Sequence, residues 1–144
     1  MKALTVKQPY ASLIIEGEKK YEMRSWKPSQ LGRLAIHAGL SAFAAVDLMN
    51  LGLASKYWSH KTMPLGAIVG IVEVVSIIDT QTLTDEALRN WDNALHPITF
   101  KRKDYRYAWE LKVIAEFPQP IAATGKMGLW DWDIDAALKK AVQA

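Results

Sequence analysis

Apolar residues fall into short runs along this chain, and their spacing sets out the elements. Ala3 to Val6 reads as a strand feeding the Gln8-Pro9 turn. Pro9 to Ile15 reads as a short helix: Pro9 suits the first helical position, Ala11, Leu13, Ile14 and Ile15 supply apolar surface, and Gly17 suits the left-handed residue that ends it. The next residues alternate as a strand does, with Tyr21 and Met23 on one face and Lys20, Glu22 and Arg24 on the other. After a loop from Lys27 to Gly32, Arg33 to Ala38 forms a strand whose Leu34 and Ile36 face the core while Arg33 and His37 share the opposite face. Ser41 is placed to cap a helix running to about Met49, with Gly52 near its end.

The most apolar run, Ala67 to Ile78, reads as a long strand buried on both faces. Thr84 then caps a helix over Asp85 to about Ala94, closed off by Pro97. The clearest amphipathic strand follows: Tyr107, Trp109, Leu111, Val113, Ala115 and Phe117 alternate with Ala108, Glu110, Lys112, Ile114 and Glu116, ending at Pro118. A glycine-punctuated loop from Pro120 to Trp130 leads to a last helix, Ile134 to Val142. Several strands at short intervals with helices between them predict an α+β domain built on a small curved sheet or barrel of five to six strands.

Composition narrows this picture. A length of 144 residues, 50% of them hydrophobic, fits one domain with a real core, spanning 1–144. The formal charge of +3 favours anionic partners such as nucleic acid or nucleotides. Without cysteine, disulfides, thiolate catalysis and zinc-thiolate sites are excluded. His37, His60 and His96 have no ligand spacing, so no metal or other cofactor is indicated, and no long apolar segment suggests a membrane span or a signal peptide. A cytoplasmic location is expected. Dinucleotide-binding, Walker-type and serine-elbow motifs are all missing, which leaves nucleotide-fuelled and serine-hydrolase chemistry without support.

The stretch from Gly17 to Trp26 is the densest in chemistry. If Lys19, Glu22 and Arg24 converge, they offer a cation able to hold a phosphate or lose a proton, a carboxylate able to act as base, and a planar donor fork. The direction of Lys19, at the turn before the strand, is open; the plain alternative for the whole row is a surface strand with weak ion pairs. Glu73 sits mid-strand among apolar neighbours, either as an acid of perturbed pKa or as the buried partner of Lys19 or Arg24. Gln8 either caps the helix or reads a base edge, and His37 comes near the charged row if its strand pairs with that row. The segments Lys56 to Lys61 and Lys101 to Tyr107 interleave aromatics with cations, a pattern that stacks bases while holding phosphates. Lys126 is a further phosphate candidate. Trp132 is expected to anchor the last helix, with Trp130 as either anchor or pocket wall.

The order Leu4-x-Val6-x-Gln8-Pro9-Tyr10-Ala11-Ser12-Leu13, then Gly17-x-Lys19-x-x-Glu22-x-Arg24-Ser25-Trp26, then Gly32-Arg33-Leu34-x-Ile36-x-Ala38 resembles the ASCH domain, which is similar to PUA and EVE domains. Gly66-x-x-x-Gly70-x-Val72 and the closing Phe117-Pro118-x-Pro120-Ile121 with Gly125-x-x-Gly128-x-Trp130 extend the likeness. The resemblance implies a small β-barrel flanked by helices, with a cleft lined by the Gly17 to Arg24 segment that fits RNA, a nucleotide or a nucleoside. On a binding reading, Lys19, Arg24 and Lys126 meet phosphates, Trp26 or Trp130 stacks, and Gln8 or Glu22 reads a base edge, with Ser25 and His37 completing the contact set. On an enzymatic reading, relatives hydrolyse the amide of acetylated cytidine or cleave RNA, and Lys19, Glu22 and Glu73 are the catalytic candidates; Glu22 stands where the amidohydrolases carry a threonine. A divalent metal is possible for the nuclease but has no sequence support.

Overall fold

The computed structural model describes residues 1–42, 63–84, 86–87 and 105–143. The helix expected up to Met49, the Lys56 to Lys61 loop, His60, His96 and residues 101–104 of the basic loop lie outside the described residues. The elements are β1 (Lys2–Gln8), α1 (Tyr10–Ile15), β2 (Tyr21–Arg24), β3 (Gly32–Ala42), β4 (Ala67–Asp79), a 3-10 turn (Thr80–Thr82), β5 (Tyr107–Ala122), β6 (Leu129–Asp131) and α2 (Ile134–Gln143). Gly17 ends the α1 turn with φ of +80°, as its position predicted. Ser41 belongs to the end of β3 instead of capping a helix. Thr84 does act as a cap, its hydroxyl accepting from the Ala87 amide at 3.0 Å.

The six strands form one mixed sheet in the order β2-β5-β4-β3-β1-β6. β1 runs parallel to β3, with Thr5 opposite His37, and antiparallel to β6, with Ala3 opposite Trp130. β4 is clamped between β3 and β5 over most of its length, which explains its apolar run. β5 continues through Pro118 and Pro120, beyond the end expected at the first proline. The ladder tolerates them because Glu116 pairs with Gly70 and Ile121 with Ile68, so Phe117 to Pro120 face Val69 alone across a bulge.

Each face of the sheet carries a core. Leu4, Val6, Leu34, Ile36, Val69, Val72, Val74 and Trp109 pack beneath Ala11, Ile14 and Ile15 of α1 on one face. Ala3, Ala35, Ile68, Trp130 and Trp132 pack beneath Ile134 and Ala137 of α2 on the other. Trp132 is thus the anchor expected of it. Backbone hydrogen bonds do not close the sheet into a complete barrel. The sheet nevertheless rolls far enough for Arg24 on edge strand β2 to donate from Nη2 to the Thr5 carbonyl oxygen of β1 at 3.0 Å. A guanidinium, not a ladder, bridges this seam.

Candidate functional site

The seam gathers the charged row. In β2, Glu22 lies opposite Trp109 and Arg24 opposite Tyr107 of β5, so Glu22 projects toward the same face as the Trp109 core. Both faces of β2 are covered: Glu22 is 5% exposed and Met23 2%. The surface-strand alternative therefore does not hold. Glu22 is satisfied through Oε2, which accepts from Arg24 Nε at 3.2 Å and Nη2 at 3.0 Å, and through Oε1, which accepts from the Met23 amide at 3.2 Å. With Nη2 also on Thr5, the two N–H groups of Arg24 Nη1 remain, on a side chain 29% exposed.

Lys19 turns inward as well. Its backbone amide donates to the Leu13 carbonyl, and its ammonium lies 5.3 Å from the centroid of the Tyr10 ring on α1. It is only 1% exposed. Burial pushes the Lys19 ammonium below the ordinary lysine range, Arg24 adds to the effect and Glu22 opposes it. Burial likewise pushes the Tyr10 phenol up, with Tyr105 and Glu22 reinforcing the shift. The seam thus offers a buried cation whose pKa is lowered, a fixed carboxylate, a half-used guanidinium and a phenol, with Tyr105 acting on that phenol.

The lowered lysine has a measurable consequence. Above its folded-state pKa, native Lys19 has released its proton while the unfolded chain, titrating at about 10.4, still binds one. Stability therefore rises with pH across that window. Lys19→Met is expected to be more stable than wild type at pH 7 and to lose this advantage as pH rises, read as the difference in urea midpoints. A difference that stays constant would exclude a lowered lysine. Readings are confined to below about pH 10, where tyrosine titration does not enter.

A second group forms around Thr5. Its hydroxyl meets His37 Nδ1 at 3.1 Å and accepts from Trp130 Nε1 at 3.2 Å, and the Lys126 carbonyl lies 3.4 Å away. His37 is 2% exposed, places Nε2 at 2.7 Å from the Ala123 carbonyl as donor, and stacks edge-on against Trp130 at 5.5 Å. Gly125 closes over this group. A Cβ there would stand 2.5 Å from Thr5 Oγ1 and 2.7 Å from the His37 ring, so the close backbone approach serves this internal contact. The Lys126 side chain is exposed above it.

The remaining candidates lie apart or are already occupied. Gln8, fully buried, accepts from the Ser12 amide and donates to Ser12 Oγ and the Pro64 carbonyl, which is the capping role and commits both of its amide N–H groups. Trp26 packs edge-on against Trp109 at 5.0 Å and accepts the Trp109 indole N–H on its carbonyl, while Ser25 is exposed beside it. β2 does not pair with β3, and among the described residues His37 meets the charged row through Thr5, which bonds His37 on its hydroxyl and Arg24 on its carbonyl. Glu73 sits between Arg33 and Lys112 in register. Because Val72 and Val74 face the α1-side core, Glu73 points to the opposite face from Glu22, and the two carboxylates do not share a cleft.

Tyr10 and Thr5 are the site residues that the sequence reading passed over, whereas Tyr105 falls within the Lys101 to Tyr107 loop. Thr5 had a signal, as the polar residue in an otherwise apolar Ala3 to Val6 run. A cavity of about 230 Å³ on another side of α1, lined by Ser12, Ile15, Val69, Phe117 and Pro118, contains none of the candidate residues. The seam, and not this cavity, gathers the buried ionisable groups. Among the described residues no group of His, Asp or Glu is arranged to hold a metal ion, and no helix is long and apolar enough to cross a membrane.

Comparison with known proteins agrees with this architecture. No curated protein matches the chain. Among solved structures, the ASCH protein from Zymomonas mobilis superposes with a TM-score of 0.60 at 17% identity, covering 99% of this chain and 93% of that one. A tyrosine-to-phenylalanine mutant of the same protein gives 0.60 and a serine-to-alanine mutant 0.59, both at 17% identity over 99% of this chain, covering 96% and 94% of theirs. At that identity the likeness establishes the fold alone. The family match is independent of it and spans residues 4–121, from the first strand through the bulge of β5, so the chain belongs to the ASCH domain family.

Proposed function

We propose that the seam binds single-stranded RNA, drawing one plain or modified nucleotide against Tyr10, Lys19, Glu22 and Arg24. The observation that carries this reading is the joint burial of Lys19 and Glu22 beside an arginine with donors to spare. Burying such a cluster carries a desolvation cost even where its members pair, and a binding role would account for it. A nucleotide offers matching chemistry: its phosphate suits the Nη1 donors and the Lys19 ammonium, and its base suits the faces of Tyr10 and Tyr105. Membership of the ASCH family and the formal charge of +3 agree with it. Lys126, exposed near the seam, adds a phosphate contact.

The lowered pKa of Lys19 favours a second reading, hydrolysis of RNA or of an acylated nucleoside. A neutral amine can accept a proton from attacking water or a ribose hydroxyl, with Glu22 and Arg24 positioning the reacting group. Incubation with labelled single-stranded RNA, and separately with N4-acetylcytidine, with and without Mg²⁺, distinguishes the readings. Salt-sensitive retention without product, abolished in Lys19→Ala, is the expected result. Product that disappears in both Lys19→Ala and Glu22→Gln would establish the enzyme instead, and neither retention nor product would overturn both readings.

A further inference from the structure

Beside the seam, one tyrosine ring is held against two cations. Lys27 Nζ lies 5.4 Å from the Tyr107 ring centroid and the Arg106 guanidinium 4.9 Å from the same ring. The arginine is fixed in place: Nε and Nη2 donate to the two Asp79 carboxylate oxygens at 3.2 and 2.8 Å. The Arg106 backbone carbonyl accepts from both the amide and the hydroxyl of buried Thr80, at 2.8 and 2.7 Å. Asp79 in turn accepts from the Gln81 amide at 3.1 Å. Asp79 thus pairs directly with Arg106 and also acts electrostatically on the exposed Lys27 ammonium, so that one carboxylate faces two cations among the described residues.

This patch is continuous with the seam. Tyr107 stands opposite Arg24 in the β2–β5 ladder, and Tyr105, two residues before it, acts electrostatically on Tyr10. Tyr107, opposite Arg24 and against Lys27 and Arg106, thus joins this patch to the charged row. Two cations beside one carboxylate and one ring leave net positive charge at the patch, and alternating rings and cations suit a backbone whose charge repeats with each base.

We propose that Lys27, Arg106 and Tyr107 form a second contact for the same RNA strand, holding the phosphate next to the nucleotide that occupies the seam. The inference rests on the RNA-binding reading above. It makes the protein a reader of at least a dinucleotide, with affinity for an oligonucleotide exceeding that for a mononucleotide.

Fluorescence anisotropy with labelled UMP and labelled octauridylate, over a series of salt concentrations, tests it. Lys27→Ala is expected to weaken the octamer, to make its log Kobs against log salt shallower by about 0.7, and to leave UMP binding unchanged. Lys27→Arg is expected to restore the octamer. Because Lys27 is exposed, the melting temperature of these variants serves as a check that the fold is intact. Equal weakening of UMP and octamer, or of polyglutamate and octamer, would overturn the second contact, as would an unchanged octamer. Wild-type protein that binds neither RNA probe would remove the RNA-binding reading itself and the contact with it.

Discussion

Trp109→Ala is expected to destabilise the domain by about 3–5 kcal/mol, measured as a shift in the urea unfolding midpoint at constant slope. Trp109 is 0% exposed in the α1-side core, meets Trp26 edge-on at 79° between ring planes, and donates its indole N–H to the Trp26 carbonyl at 3.2 Å. Truncation opens a cavity where β2, β4 and β5 meet, because Trp109 stands opposite both Glu22 and Ile77. It also leaves the Trp26 carbonyl without this donor. Against a typical total of about 5–15 kcal/mol, such a loss approaches global unfolding. Trp109→Phe separates the two contributions: retaining most of the ring while losing the donor, it should cost about 1–3 kcal/mol. A Trp109→Ala variant within about 1 kcal/mol of wild type would show that the seam is not built on this ring.

Arg24→Ala is expected to cost about 3 kcal/mol, the lower end for removing one partner of a buried ion pair, because the guanidinium is 29% exposed. What remains is the Glu22 carboxylate, 5% exposed, with the Met23 amide as a donor but no guanidinium, and a Thr5 carbonyl without its donor from β2. Most of the penalty is therefore the carboxylate's loss of its hydrogen-bonding cation, with the electrostatic effect of Lys19 left to offset it. Adding Glu22→Gln to Arg24→Ala should recover stability, since a neutral amide needs no counter-ion. Arg24→Lys should recover little, because a point charge cannot serve Glu22 and Thr5 as a fork does. A double mutant as unstable as Arg24→Ala alone would mean that the guanidinium acts mainly by bridging the seam.

Much of the fold was legible because local chemistry and tertiary environment agree. The α1 turn, with Pro9 before it and Gly17 after it, and the alternation from Tyr107 follow rules that a few neighbouring residues satisfy. The β5 extension past Pro118 was not legible, since only the pairing of Ile121 with Ile68 across the bulge makes those prolines harmless. In the site, residue types were readable and convergence was not. Lys19, Glu22 and Arg24 converge because β2 is an edge strand rolled toward β1, a long-range fact. Glu73 was misjudged for the same reason: its cation neighbours, Arg33 and Lys112, come from β3 and β5 and not from the Lys19 segment. Tyr10 was read as part of a helix start, and nothing local places its ring against Lys19.

The position of β1 also constrains the order in which this domain can assemble. Its residues come first in the chain, yet they lie between β3 and β6, and β6 is made from residues 129–131. Until that last strand docks, β1 has one ladder partner and an open edge, and Trp130 is not there to fix the Thr5 hydroxyl. The Arg24 bridge of the seam uses only β1 and β2, whereas the Thr5 hydroxyl waits for Trp130 of β6. Pairing β1 with β6 closes a loop of more than a hundred residues, a high-contact-order step on which the Trp130 donor to the Thr5 hydroxyl depends.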